Sequence, residues 1–159
     1  MSTHVLAERL RLSEHAARPY AAMARLESGI ELEPALRELI KLRASQIDGC
    51  VFCIDMHWKD ARAAGEREER LYSLDALRES PLYDERERAA LELCDAVTLV
   101  ADSHVPDGVW ERAEAVLDRD GLAQLVFAIA AINAWNRLAV ATRIQPGHYQ
   151  PAAPAAHGG

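Results

Sequence analysis

The chain has 159 residues, with 25 acidic and 18 Lys or Arg side chains and a formal net charge of −7. Because the acidic surplus comes without any basic run, we expect no nucleic-acid partner. At this length one hydrophobic core can stabilise the fold without disulfide staples, which predicts a single domain over residues 1–159.

The distribution of apolar and cysteine residues bears on the compartment. No uninterrupted apolar run of about 18 residues occurs, and the N-terminus lacks the charged-then-apolar pattern of a signal peptide. We therefore expect a cytoplasmic protein without a membrane partner. Two of the 3 cysteines form a C-x-x-C, a pair that in a reducing compartment is more often catalytic, redox-active or metal-binding than structural.

The first half of the chain predicts helices separated by turns. Residues 1–16 form an N-terminal arm to which we assign no regular structure, and a helix is expected near 17–28. Pro34 suits the first position of a second helix, whose apolar residues recur at helical spacing up to the turn at Asp48-Gly49. A third helix follows that turn and ends near Gly65. These last two helices should form a hairpin.

The second half continues the helical pattern. The pattern of residues 66–79 predicts one or two short helices, one edge of which covers the core. A helix should run from Asp84 to Ala101 with Cys94 on its buried stripe. Another helix should start at residue 106 or 107, with Trp110 facing the core.

The last predicted helix, about 121–143, is apolar nearly all round in its first half. It is either the central helix or a subunit interface. From residue 145 to 159 the sequence loses periodicity, and we expect a flexible tail. Since strand patterns are absent, the fold class is all-α, a compact helical bundle whose hairpin carries the C-x-x-C.

The C-x-x-C carries the sharpest chemical signal in the chain. Cys50 falls at a helix N-terminus, where unpaired N–H groups and the helix dipole favour thiolates. Cys53 lies one turn on, close enough to Cys50 for a disulfide, and His57 follows Cys53 by one more turn. Because a nearby base raises the thiolate fraction, Cys53 is the better candidate for attack and Cys50 for resolution.

The segment from Glu38 to His57, with Cys50 and Cys53 inside it, resembles the AhpD-like alkylhydroperoxidase core of the carboxymuconolactone decarboxylase superfamily. The motif Asn-Ala-Trp-Asn-Arg at 133–137 is similar to the C-terminal helix signature of that group. The combination of Glu, C-x-x-C and His is far more specific than a C-x-x-C alone. The similarity extends roughly from residue 34 to 143.

This resemblance implies an all-helical peroxidase that assembles as trimers or hexamers and uses neither a metal nor another cofactor. It implies that Cys53 attacks the peroxide, that Cys50 closes a disulfide, and that Glu38 and His57 form a proton relay. It also implies an outside dithiol reductant, either a lipoyl group or a thioredoxin-like protein. The best-known relatives place a His before the second cysteine, whereas this chain has Phe52 there.

Other interpretations of the same residues remain open. The enzyme could be a muconolactone-type decarboxylase, although that branch does not rely on a C-x-x-C. The thiols could instead be oxidised without catalytic turnover, as in a redox sensor. Zinc could use Cys50, Cys53, His57 and Glu38, but structural zinc usually draws on two separated ligand pairs. Cys94 is expected in the core.

Overall fold

A computed structural model describes residues 7–152. Within that range the chain forms helices and no strand, which confirms the all-α prediction. The helices are α1 (Leu12–His15), α2 (Ala17–Ser28), α3 (Pro34–Asp48), α4 (Val51–Ala63), α5 (Glu68–Tyr72), α6 (Glu85–Thr98), α7 (Val100–Ser103), α8 (Asp107–Val116) and α9 (Arg119–Thr142), with a 3-10 turn at Leu74–Ala76.

Helices α3 and α4 form the predicted hairpin. The Glu33 carboxylate caps α3 by accepting the N–H groups of Ala35 and Leu36. Gly49 ends α3 with φ 66°, in the left-handed region that glycine occupies without strain. Cys50 is then the N-cap residue of α4. The tight glycine turn thus places the first cysteine at the start of a helix.

The core lies where α9 crosses the hairpin and α6. Its largest fully buried side chains come from these helices and from the 66–79 segment: Leu36, Leu39, Ile40, Leu42, Leu71, Leu74, Leu91, Leu93, Leu125, Ile129 and Ile132. Helix α9 is long and apolar enough to cross a membrane by length and composition, yet half of that window is buried inside the bundle. The structure thus shows the first of the two roles expected for it, that of central helix.

Two details of the second half differ from the prediction. The helix expected to reach Ala101 breaks at Leu99, whose φ of −95° and ψ of 30° separate α6 from α7. Trp110 was predicted to face inward but is 39% exposed, whereas Ala113 and Leu117 are buried. Cys94 is wholly buried, as expected.

Both terminal segments contact the bundle where they are described. The Arg9 N–H donates to the carbonyl of Thr142, which ties the predicted arm to the end of α9. The Gly147 N–H donates to Asp55 Oδ2, and the Tyr149 hydroxyl donates to Asp60 Oδ1 at 2.7 Å. Residues 145–152 therefore lie against α4. The remainder of the predicted arm and tail, 1–6 and 153–159, lies outside the described residues.

Candidate active site

The two cysteines of the C-x-x-C are joined as a disulfide, with their Cα atoms 5.3 Å apart. Cys50 Sγ accepts a hydrogen bond from the Cys53 N–H at 3.3 Å. The sulfurs pack against Ala139 of α9 and are nearly closed to solvent, with Cys50 1% and Cys53 4% exposed. The helix N-terminus therefore acts most directly on Cys50, through a backbone N–H aimed at its sulfur.

Glu38 and His57 meet across the hairpin. His57 Nδ1 lies 2.9 Å from Glu38 Oε2, and both residues are buried. Burial raises the pKa of Glu38, but the hydrogen bond and charge of His57, with the charges of Lys41 and Arg37, outweigh it and leave that pKa below its ordinary value. Since Nδ1 faces the carboxylate, Nε2 is the nitrogen available for chemistry.

A cavity of about 450 Å³ opens beside this pair. Cys53 and His57 both line it, whereas Cys50, also among the described residues, does not. Most of its wall is apolar, from Phe52 on α4 to Trp135 on α9. A substrate in this cavity would meet the sulfur of Cys53 and the imidazole together.

The cavity also contains charged residues that the sequence analysis missed. Lys41 and Asp60 line it, and Tyr149 donates to Asp60 from the C-terminal segment. The sequence could have indicated both residues, because Lys41 follows Glu38 by three residues and Asp60 follows His57 by three. Each pair therefore shares a helix face. Tyr149 carried no such signal, since it reaches α4 only through the tertiary fold.

Glu38, His57 and Asp60 form what we call the relay cluster. One donor atom from each lies within 4.8 Å of the others, close enough to hold a cation. The set differs from the four zinc ligands considered from sequence, because it adds Asp60 and leaves out both cysteines, which are joined to each other. Arg37 Nε also lies 3.5 Å from Glu38 Oε1, so a metal would face a neighbouring positive charge.

Comparison with known proteins identifies the family of this chain. The sequence model of the carboxymuconolactone decarboxylase family matches residues 14–96, which include the whole hairpin. The chain belongs to this family. The uncharacterized protein YdfG of Bacillus subtilis is 48% identical over 105 residues, which cover 66% of this chain and 71% of YdfG.

Solved structures place the chain in the AhpD-like branch of that family. A protein of unknown function from Agrobacterium tumefaciens, ascribed to the antioxidant defence protein AhpD, is 38% identical with a TM-score of 0.87 and covers 90% of this chain and 100% of its own. An AhpD-core, peroxidase-related protein from Ralstonia eutropha shares the fold at 17% identity, with a TM-score of 0.75 and 86% and 74% coverage. The AhpD-like assignment made from the motifs is confirmed.

In this AhpD-like chain the Asn-Ala-Trp-Asn-Arg motif of α9 contacts the turn before Cys50. Asn136 is wholly buried; its Oδ1 accepts from the Ser45 hydroxyl at 3.0 Å and its Nδ2 donates to Asp48 Oδ2 at 3.0 Å. Arg137 Nη1 reaches the same Asp48 oxygen at 3.3 Å. We call Ser45, Asp48, Asn136 and Arg137 the turn clamp. It anchors the end of α3, and with it the Gly49 turn, to the central helix.

Proposed function

We propose that this protein is a thiol-dependent peroxidase that reduces organic hydroperoxides or hydrogen peroxide. The observation that carries the proposal is the position of Cys53, which belongs to a C-x-x-C disulfide and lines an apolar cavity together with His57. A buried Glu38–His57 pair at the same cavity can move protons. The family and the antioxidant ascription of the Agrobacterium relative support the same class of activity.

In the oxidative half-reaction the Cys53 thiolate attacks the outer oxygen of the hydroperoxide and breaks the O–O bond. The sulfur becomes a sulfenic acid, and the alkoxide takes a proton and leaves as the alcohol. The Cys50 thiol then attacks the sulfenic sulfur, which forms the disulfide and releases water. The assignment of attack to Cys53 is supported by its place on the cavity wall, where Cys50 does not lie.

The Glu38–His57 pair supplies the protons in this scheme. His57 Nε2 takes the proton of the Cys53 thiol and returns it to the departing alkoxide. Glu38, whose pKa is held below its ordinary value, stays ionised at neutral pH, orients the imidazole through Nδ1 and stabilises its charged form. Phe52 occupies the position before Cys53 and contributes apolar cavity wall instead of a second relay imidazole.

The reductive half-reaction uses an outside dithiol, for which a lipoyl group or a thioredoxin-like protein is suited. A thiolate that enters the cavity meets Cys53 first and forms a mixed disulfide with it, while Cys50 leaves as a thiolate. The Cys53 N–H that points at Cys50 Sγ stabilises that leaving group. The second thiol of the reductant then releases Cys53.

We propose further that the chain is cytoplasmic and forms a homo-oligomer, a trimer or hexamer. The support is the exposure of large apolar side chains on α9, where Phe127 is 56% and Val140 49% exposed although other residues of this helix form much of the core. Light scattering over a wide concentration range tests the assembly, and a monomer throughout would contradict it.

Dithiol-dependent consumption of cumene hydroperoxide tests the proposed function. Cys53→Ser should abolish turnover, and Cys50→Ser should allow one oxidation without recycling by the disulfide route. Cys94→Ala is the matched control, because burial raises the pKa of Cys94 to about 12 and keeps that thiol out of the chemistry. Equal turnover in all variants would overturn the proposal.

The same variants separate the alternatives. Decarboxylation of a muconolactone-type acid that survives the loss of both Cys50 and Cys53 would indicate the founding activity of the family. Oxidation of wild-type Cys53 that no dithiol reverses catalytically would indicate a redox sensor.

A further inference from the structure

The cavity beside Cys53 has an apolar part and a charged end. Its apolar wall includes Tyr20, Ile132 and Trp135. The charged end is lined by Glu27 of α2, Lys41 of α3 and two members of the relay cluster, His57 and Asp60. Lys41 acts on the proposed peroxide chemistry only through its charge on Glu38, and Glu27 has no role in it, so their place on the wall calls for another explanation.

The ammonium group of Lys41 already interacts with carboxylates of the protein itself. The residue is 7% exposed. Its ammonium group forms an ion pair with Glu27, and its charge also acts on the Glu38 carboxylate. A ligand carboxylate would have to displace Glu27 from Lys41 and leave Glu27 as a buried unpaired charge. That exchange is unfavourable in a site of low dielectric constant.

The sum of charges at this end is negative. Two carboxylates of the cavity wall, those of Glu27 and Asp60, face one ammonium group, that of Lys41, so the wall with a neutral His57 imidazole carries an excess of one negative charge. The charge of Glu38, which is hydrogen-bonded to His57, is offset by Arg37, whose Nε lies 3.5 Å from Glu38 Oε1. Like charges repel strongly where solvent is partly excluded. An anionic ligand head is therefore opposed by the field of the cavity, whereas an uncharged or cationic head is not.

Glu27 also offers an acceptor in need of a donor. Its Oε2 atom is buried and has no hydrogen-bond partner within residues 7–152. A ligand hydroxyl or ammonium group placed there would donate to it, and a carboxylate would not.

We propose that the cavity selects ligands with an apolar body and a hydrogen-bond-donating head that is not anionic, and that Glu27 and Lys41 are the residues that determine this specificity. A hydroperoxide carries such a head, so the inference narrows the proposed function to neutral apolar hydroperoxides over those that present a carboxylate. This inference depends on the proposed function only in taking the reacting group of the ligand to be a hydroperoxide.

Binding of three eight-carbon probes to the oxidised, disulfide form tests the inference without any peroxide. Octan-1-ol, octylammonium and octanoate share one chain, and calorimetry at pH 7.5 measures their affinities. Octylammonium and octanoate carry one charge each, so their comparison separates the sign of the cavity field from the general cost of desolvating a charge. We expect octan-1-ol and octylammonium each to bind at least tenfold more tightly than octanoate.

Glu27→Gln removes one negative charge and frees Lys41 for a ligand. This variant should bind octanoate at least tenfold more tightly than wild type, with octan-1-ol changed less than threefold. Glu31→Gln is the matched control, because it makes the same charge change at an exposed position outside the cavity wall and should alter neither affinity.

Octanoate that binds wild type as tightly as octylammonium would overturn the inference, and so would a folded Glu27→Gln variant with unchanged octanoate affinity. If Glu27→Gln does not fold, as circular dichroism would show, the wild-type comparison of the two charged probes still decides. Because no turnover is measured, a protein without peroxidase activity gives the same answer, and failure of the two proposals can be distinguished.

Discussion

Two clusters of polar residues flank the C-x-x-C, and they differ in what surrounds them. The centre of the turn clamp on one side is closed to solvent, since Asn136 is wholly buried and its side chain is hydrogen-bonded to Ser45 and Asp48. The relay cluster on the other side opens into a cavity, which His57 and Asp60 line. A closed network stabilises one backbone geometry, whereas ionisable groups in a cleft can exchange protons with a ligand.

The difference teaches that burial alone does not identify a functional polar residue. Glu38 and Asn136 are both buried and both hydrogen-bonded to another helix or turn. The partner of Glu38, His57, lines the cavity, whereas Ser45 and Asp48, the partners of Asn136, do not. We therefore expect changes in the relay cluster to alter chemistry and changes in the turn clamp to alter stability.

The largest effect is expected for Glu38→Gln. This change keeps the shape of the side chain but removes the charge that orients and stabilises the His57 imidazolium, and proton transfer of this kind contributes roughly 10²–10⁴-fold to a rate. The kcat/KM for cumene hydroperoxide should fall by at least about 100-fold, with only a small fall in the melting temperature.

The control is Glu114→Gln, at an exposed position on α8, which should leave both quantities at wild-type values. A Glu38→Gln variant that retained full kcat/KM would place Glu38 with the structural residues and erase the contrast between the two clusters.

Asn136→Ala tests the turn clamp. It removes the two hydrogen bonds that Asn136 makes, with the Ser45 hydroxyl and with the Asp48 carboxylate, and the loss of each such bond costs about 1 kcal/mol. The free energy of unfolding, measured in urea, should fall by about 2 kcal/mol, while kcat of the folded fraction stays within threefold.

Arg137→Ala is the comparison for that variant, because the Arg137 side chain is 60% exposed and lies at the solvent edge of the clamp. It should cost little stability, since exposed ion pairs contribute weakly. A loss of activity from Asn136→Ala at full stability would mean that the clamp acts on the sulfur chemistry instead.

A smaller effect is expected for Tyr149→Phe. The change removes the hydrogen bond from the tyrosine hydroxyl to Asp60, which with burial raises the pKa of Tyr149 to about 12. Loss of one such bond costs about 1 kcal/mol. Hydrogen exchange of residues 145–152 should become faster in the variant, and unchanged exchange would show that other contacts hold this segment on α4.

The smallest effect concerns the pH dependence of stability. Because the folded-state pKa of Glu38 lies below its unfolded value, ionised Glu38 stabilises the fold above the ordinary carboxyl range. This contribution should be lost as the pH falls below about 4.3 and through the folded pKa. Urea unfolding of wild type and Glu38→Gln from pH 7 to pH 3 should show the difference between them shrinking in acid, and a constant difference would contradict it.

Local sequence patterns were sufficient for the helices and for the C-x-x-C. Pro34, the Asp48-Gly49 turn and the apolar spacing predicted α3 and α4 within a few residues, because caps and turns act on their own neighbours. The same logic missed the break at Leu99, where no proline or glycine interrupts the apolar stripe. Trp110 was misplaced because an amphipathic pattern gives the face of a helix but not the depth of its cover.

The sequence by itself determined the fold class, the family and the order of Glu38, Cys50, Cys53 and His57 along one hairpin, since these depend on contacts between near neighbours. Only the tertiary structure decided that Cys53 rather than Cys50 lines the cavity, that Glu27 pairs with Lys41 there, and that Tyr149 returns to Asp60. The physical reason is that these contacts join residues from separate helices and segments, and their distances are set by how the helices pack and not by spacing along the chain.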